Sequence, residues 1–389
     1  LMGLPLAYNL RNLAVRKTTT AMTALGIGLT VAVLLSILAL LGGLNAMYEA
    51  SGDPQNVLAL RKGSNVELNS WIVRSVYQDM KFKAGIARTP EGEPMASPET
   101  VVAINLPSVT NPDGSNITLR GILPVGIAMR PHLKLAEGRW FAGGRREVVA
   151  GRAIAGRFPG ARLGERIRFG RGEWEVVGIV DGGRTASSGE IFVDLNLSNA
   201  DFERTEGFSS VLVRATDRAT AATLARDIEN DQRLNLMTLN EHNYYLAQTQ
   251  SGITVQVLGI FVSAVMAVGS AFAAANTMYA AVARRAREIG TLRVLGFSRS
   301  SILASFVVES VLLSLAGGAI GCLLVLPLDG VSTGVLNFQT FSESTFDFRV
   351  TPRILAAGVG FATLLGALGG LFPARNAARK QILAALREA

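Results

Sequence analysis

The side chains able to do covalent chemistry are few in this chain, and their spacing builds no reaction centre. A phosphate-cradling loop needs Gly-Lys followed by Ser or Thr, so that backbone amides and a lysine surround the phosphates. Six lysines occur in 389 residues, and none follows a glycine. The two histidines, His132 and His242, lie far apart, and the single cysteine, Cys322, sits in an apolar run, so metal-ligand spacing is missing. Ser187 and Ser188 read as loop. The composition therefore predicts no catalytic, cofactor or metal residues in this chain. Net charge is +8, but basic and aromatic residues do not interleave, which argues against nucleic acid as a partner.

One segment has the make-up of a docking element. Residues 282–301 are short and basic, and Ile289, Leu292 and Leu295 recur at spacings of three. That spacing predicts a brief helix with an apolar face, parallel to a membrane, suited to a groove on a soluble partner with its charges at the rim. Arg284, Arg287, Glu288, Gly290, Arg293 and Gly296 complete the set. Glu309 stands inside an apolar run, where an unpaired charge costs several kcal/mol. It must face other helices, be protonated or pair, and Asn276 is a candidate partner in a structural rather than proton-carrying role. Small residues four apart mark close helix approach: Gly28 with Ala32, Gly269 with Ala273, Gly317 with Gly321, and Gly366 with Gly370.

The elements that must position these residues are membrane spans. Hydrophobic residues make up 49% of the chain and charged residues only 17%, an unusual pairing for a soluble protein. Crossing a bilayer takes about 20 apolar residues. Four stretches qualify, at 23–44, 253–282, 302–328 and 354–372. The first is too long for a cleaved signal peptide. Segment 45–250 carries 24 Lys/Arg against 24 Asp/Glu. The excess of basic residues lies instead in three short segments. Arg11, Arg16 and Lys17 precede the first span, Arg284, Arg285, Arg287, Arg293 and Arg299 follow the second, and Arg375, Arg379, Lys380 and Arg387 follow the fourth. Positive charge collects on the cytoplasmic side, so this alternation places both termini inside and segment 45–250 outside.

The expected fold class is an α-helical membrane protein with four transmembrane helices, plus a mixed α+β extracytoplasmic domain inserted between helices 1 and 2. Residues 1–22 form a cytoplasmic amphipathic lead-in, with Leu6, Leu10, Leu13 and Ala14 at helical spacing. The outer domain with its stalk covers 45–252, the docking loop 283–301, a short outer loop 329–353 and a cytoplasmic tail 373–389. Strands are predicted at 101–104, 117–119, 148–150, 166–169, 174–180, 191–193 and 210–213. A helix is predicted at 218–229, with Ala219, Ala222, Ala225 and Ile228 along one face. The stretch 235–252 reads as polar and helical, leading straight into the second span.

The quoted residues carry a resemblance. Arg284, the run Arg287, Glu288, Ile289 and Gly290, then Leu292, Arg293, Leu295 and Gly296 stand in the order used by the MacB/FtsX/LolC type of ABC transporter permease. Glu309, Gly317, Gly318 and Gly321 continue the match. Phe372, Pro373, Ala374, Arg375, Ala377, Ala378 and Arg379, with Leu386 and Arg387, close it. The likeness is strong over 250–389, looser over 1–50 and 130–200, and weak over 51–129. It implies a permease subunit in a bacterial cytoplasmic membrane, whose loop at 284–299 is a coupling helix receiving motion from a separate ATPase. ATP and magnesium would bind in that partner, an ABC ATPase dimer. The other partners implied are a second permease chain, identical or paralogous, membrane lipids, and a periplasmic adaptor or substrate-accepting protein. The implied task is export or extraction of a hydrophobic or amphipathic substrate such as a drug, lipid or lipoprotein. The alternative is a non-transporting regulator of an extracytoplasmic cell-wall hydrolase. An outer domain of some 200 residues favours transport.

Overall fold

The computed structural model describes residues 17–109, 111–249, 252–337 and 339–379. Most of the amphipathic lead-in, and Lys380, Leu386 and Arg387 of the tail, lie outside these. The chain opens on helix α1 (Lys17–Ala50). A long alternating stretch follows: β1 (Asn56–Arg61), β2 (Ile72–Val73), α2 (Arg74–Met80), β3 (Ala96–Leu106), β4 (Ser115–Ile122), α3 (Pro124–Ala128), β5 (Lys134–Gly138), β6 (Glu147–Gly151) and α4 (Arg152–Arg157). It continues through β7 (Arg166–Phe169), β8 (Gly172–Asp181), β9 (Glu190–Asp194), α5 (Leu195–Asp201), β10 (Gly207–Phe208), β11 (Ser210–Arg214), α6 (Arg218–Asn230), β12 (Leu236–Asn240) and α7 (Glu241–Gln248). Then come α8 (Gly252–Arg284), α9 (Ala286–Val294), α10 (Arg299–Val325), β13 (Ser332–Asn337), β14 (Ser342–Asp347) and α11 (Pro352–Arg379).

The chain divides into two compact units. The helical unit takes in α1 up to Gly42, residues 254–331 and residues from Phe348 onward. Its four long helices, in α1, α8, α10 and α11, are each long and apolar enough to cross a membrane. Ile27, Val31 and Leu35 of α1 pack with Ala274 of α8, Val325 of α10, and Ala362 and Leu365 of α11. Glycines set the closest approaches. A Cβ on Gly317 would lie 2.7 Å from the Ala24 carbonyl oxygen, and one on Gly321 2.8 Å from that of Gly28. Helices α1 and α10 therefore cross with their backbones nearly touching. Hydroxyl bonds add to the contact between α1 and α8, with Thr23 Oγ1 and Thr277 Oγ1 2.9 Å apart.

The outer unit comprises residues 43–253 and 332–347. Its ten-stranded sheet runs β12, β1, β11, β3, β4, β9, β6, β8, β5, with β7 on β8. Only β4 with β9 and β6 with β8 are parallel. Two of the sheet's apolar cores are covered by helices. One gathers Val57, Ala59, Val211 and Val213 under Ala221, Leu224 and Ile228 of α6. The other gathers Ile117, Leu119, Val148, Trp174, Ile191 and Val193 beneath Ile154 of α4. The predicted strands fall within β3, β4, β6, β7, β8, β9 and β11.

Three expectations change. Helix α6 buries Ala221, Leu224 and Ile228 and leaves Ala219 and Ala222 exposed. A strict spacing of three drifts around a helix of 3.6 residues per turn, so the apolar face follows three then four. Residues 236–240 form strand β12, paired to β1, rather than helix. Leu236 is buried there, and the neighbouring strand overrides local propensity. The loop at 329–353 contains the hairpin of β13 and β14, which belongs to the outer unit.

Candidate functional site

The segment singled out for docking forms an elbow, a short helix and a turn. Helix α8 ends at Arg284, Arg285 links it to α9 without a side-chain cap, and α9 ends at Val294. Gly296 then adopts φ +93° and its N–H donates to the Arg293 carbonyl. Only a residue free of Cβ strain takes that conformation readily, so Gly296 stops the helix where Gly is expected. Ser298 next caps α10, accepting from the Ser301 N–H at 3.1 Å.

The face of α9 facing inward is made of Ala286, Ile289 and Gly290, all buried. Ile289 packs with Met278 and Val282 of α8, Ile302 and Phe306 of α10, and Ala374 and Ala377 of α11. Arg284, Arg287, Glu288, Val294, Leu295 and Gly296 are exposed, while Leu292 and Arg293 are half-buried. The stripe of Ile289, Leu292 and Leu295 is thus not one face. Ile289 is 3% exposed and Leu295 is 71% exposed, because each step of three residues falls about 60° short of a full turn. The apolar side of α9 holds the helix to its own bundle. The surface left outward is charged, with Val294 and Leu295 at one end.

Glu309 pairs with Arg285 and not with Asn276. Arg285 Nη1 donates to Glu309 Oε2 at 2.9 Å, and both side chains are buried. Asn276 lies on an exposed face of α8. A carboxylate in an apolar bundle needs a full countercharge, which an amide does not supply. A signal for Arg285 existed in the sequence: it stands four residues before Ile289, on the same face of α9.

Three of the four small-residue pairs have packing partners within the chain. Gly28, Gly317 and Gly321 make the crossing of α1 with α10, and Ala32 packs beside it. Gly366 and Gly370 of α11 meet Ser314 and Ser310 of α10. Gly269 and Ala273 of α8 are exposed, and nothing lies within 4 Å of a Cβ placed on Gly269.

The outer unit holds an ion cluster that sequence reasoning missed. All five donors of Arg120 are accepted by carboxylates: Nε and Nη2 by Glu190, Nη1 and Nη2 by Glu67, and Nη1 also by Glu99, at 2.8–3.0 Å. Arg130 closes a second fork on Glu99 at 2.6 and 2.8 Å. The five residues are all buried. Burial pushes the Glu67 carboxyl up, but the Arg120 guanidinium and the hydrogen bonds from Arg120 and Ser210 win, holding it below the usual carboxylate range. Beside the cluster lies a cavity of about 50 Å³ lined by Arg120, Glu190, Tyr48, Tyr244, Gln248 and Ser342, among others. Such a volume suits a few waters, not a drug or lipid. Among the described residues no group of three or more His, Cys, Asp or Glu is placed to hold a metal ion.

Comparison with known proteins agrees with this architecture. The model of the MacB-like periplasmic core domain matches residues 20–231, over half of the chain. That of the FtsX-like permease C-terminal region matches residues 260–382. The macrolide export ATP-binding/permease protein MacB of Hahella chejuensis is 29% identical over 238 residues, which are 58% of this chain and 35% of that protein. The uncharacterized ABC transporter permease YknZ of Bacillus subtilis is 27% identical over 273 residues, 66% of each. The chain thus spans from about a third to two thirds of these relatives. The crystal structure of the extracellular domain of YknZ aligns over its whole length with 48% of this chain, at 17% identity and a TM-score of 0.36. With one model over the outer domain and the other over the helices that follow it, the chain belongs to the MacB/FtsX-like family of ABC transporter permeases, multi-pass membrane proteins with an extracytoplasmic domain.

Proposed function

We propose that the chain relays ATP-driven motion from a separate ATPase dimer to its own extracytoplasmic domain. That domain then exports or extracts a hydrophobic or amphipathic substrate. Both termini lie in the cytoplasm of a bacterial cell, and a second permease chain completes the membrane part. ATP and magnesium stay with the ATPase, and a periplasmic adaptor or acceptor takes the substrate onward.

One observation carries this reading. Helix α9 is anchored by Ile289 and Arg285 to α8, α10 and α11 together, while Arg284, Arg287, Glu288 and Leu295 stay exposed. A push on the exposed face moves a small rigid piece keyed into three long helices at once. The spans support a relay over a hydrophilic path. Among the described residues of the predicted spans, Glu309 is the one acidic or basic side chain, and it is neutralised by Arg285.

The test is to reverse the exposed face without touching the anchored one. Glu288→Lys and Leu295→Glu should leave membrane insertion intact. They should weaken capture of the ATPase or its stimulation by about tenfold, the scale of a lost interface anchor. Variants that co-purify with the ATPase and turn over as wild type would remove α9 from the relay.

A further inference from the structure

Three stretches of the outer unit run on in the chain into the long apolar helices. They are the last turns of α1, the helix α7 ahead of α8, and the hairpin of β13 and β14 between α10 and α11. One side chain joins all three. Asn337 of β13 is 2% exposed, and its Nδ2 donates to Tyr48 Oη of α1 and to Gln248 Oε1 of α7, each at 3.0 Å. Its Oδ1 accepts from the backbone N–H of Gln339 at 2.9 Å and of Thr340 at 3.3 Å. Tyr48 Oη in turn meets Ser344 Oγ of β14 at 2.9 Å. Tyr48 and Gln248 are themselves buried.

The hairpin is also fixed to the large sheet. Thr118 Oγ1 of β4 donates to Ser342 Oγ at 3.0 Å, and Asn116 Nδ2 donates to the Phe341 carbonyl at 3.1 Å. Arg157 of α4 pairs with Glu343 and donates to Thr345 Oγ1. A pull on any of the three stretches is therefore shared by the others and handed to β4, the strand that carries Arg120.

Polar side chains are a costly way merely to hold such a junction shut, since apolar residues of the same size would adhere as well. What hydrogen bonds add is direction, because they weaken steeply once donor and acceptor move out of line. We infer that Asn337 is a positioning residue, the clasp through which displacement of the apolar helices is gathered and passed to the outer sheet. This rests on the relay reading above, and it adds that the hairpin is a third mechanical attachment of the outer domain.

Hydrogen exchange on the full chain, co-purified with its ATPase in lipid nanodiscs, tests both ideas separately. In the wild type, MgATP in place of MgADP should change exchange at α9 and also at β13, β14 and β4. In Asn337→Leu the change at α9 should persist. The change at β4 should shrink about tenfold, the equilibrium weight of one or two hydrogen bonds. Tyr48→Phe, which keeps the ring, should shrink it less. A disulfide between Asn337→Cys and Gln248→Cys, made with Cys322→Ser, should restore it, and reduction should abolish it again. If Asn337→Leu passes the change to β4 as wild type does, or if the disulfide freezes it, the clasp is refuted. No change at α9 in the wild type would instead refute the relay, and the clasp with it.

Discussion

Arg285 and Glu309, 24 residues apart, form a buried ion pair 2.9 Å long between the start of α9 and the middle of α10. It fixes the short helix α9 to a long apolar helix at a point where both charges are buried. Removing one partner leaves the other buried and unpaired. Glu309→Gln or Arg285→Met should each cost about 3–5 kcal/mol, and the double variant less than the sum of the two. Thermal unfolding of the four proteins in one detergent checks this. Additive losses would mean that the two side chains do not interact.

The glycines should sort by what surrounds them. A Cβ on Gly317 would meet backbone of α1 at 2.7 Å, whereas one on Gly269 meets nothing. Gly317→Ala should destabilise the helical unit by about 1–3 kcal/mol through forced separation of α1 and α10. Gly269→Ala should be neutral or mildly stabilising in an isolated chain, since Ala is the better helix former. Melting in detergent micelles distinguishes the two. A destabilising Gly269→Ala would show that its face of α8 is covered.

Arg120 should resist conservative replacement. Lysine keeps the charge but offers three donors on a point ammonium in place of a planar fork of five. Arg120→Lys should therefore leave acceptors of Glu67, Glu99 and Glu190 unmet and cost about 3 kcal/mol or more. All three tryptophans, Trp71, Trp140 and Trp174, belong to the outer unit. Tryptophan fluorescence during urea unfolding of the full chain thus reads this unit alone. An unchanged midpoint in Arg120→Lys would mean that the fork geometry contributes nothing.

Glu147 gives the outer unit an acid-sensitive term. Two hydrogen bonds from Arg139, both 2.7 Å, and one from the Ala142 N–H outweigh burial and hold its carboxyl at about 2, against an ordinary 4.5. The folded value lies below the unfolded one. Its stabilisation is therefore complete above pH 4.5 and fades as pH falls towards 2. Since Arg139 is more than half exposed, the term is small and weakened by salt. The urea midpoint read by tryptophan fluorescence should drop through that window in wild type and drop less in Glu147→Gln. Parallel curves would remove Glu147 as the cause.

How much could be read in advance differs sharply between the two units. The spans were legible because a bilayer tolerates only long apolar helices there, so composition and length suffice. The elbow was legible as a segment, since Gly296 and the basic run mark it, but its faces were not. A spacing of three puts Ile289 and Leu295 on one stripe of the sequence, and the true helical period sends them to opposite environments. In the outer unit, strands with several apolar residues stood out, as at Val148 and Val149. The stretch of β12 did not, because Leu236, Met237 and Leu239 sit at the start of the otherwise polar stretch 235–252, and only pairing with β1 makes them a strand.

By itself the sequence determined the four apolar helices, the segments in which basic charge collects, the strands with local apolar patterning, and the order of family motifs. These follow from local properties: length, period and charge within a short window. Tertiary structure alone decided which partners meet. Arg120 finds Glu67 at 53 positions and Glu190 at 70, and Asn337 finds Tyr48 at 289. No periodicity reaches across such distances. The hairpin read as a loop, and Glu309 read as a charge needing some partner, acquired their roles only when the folded chain brought Thr118, Tyr48 and Arg285 to them.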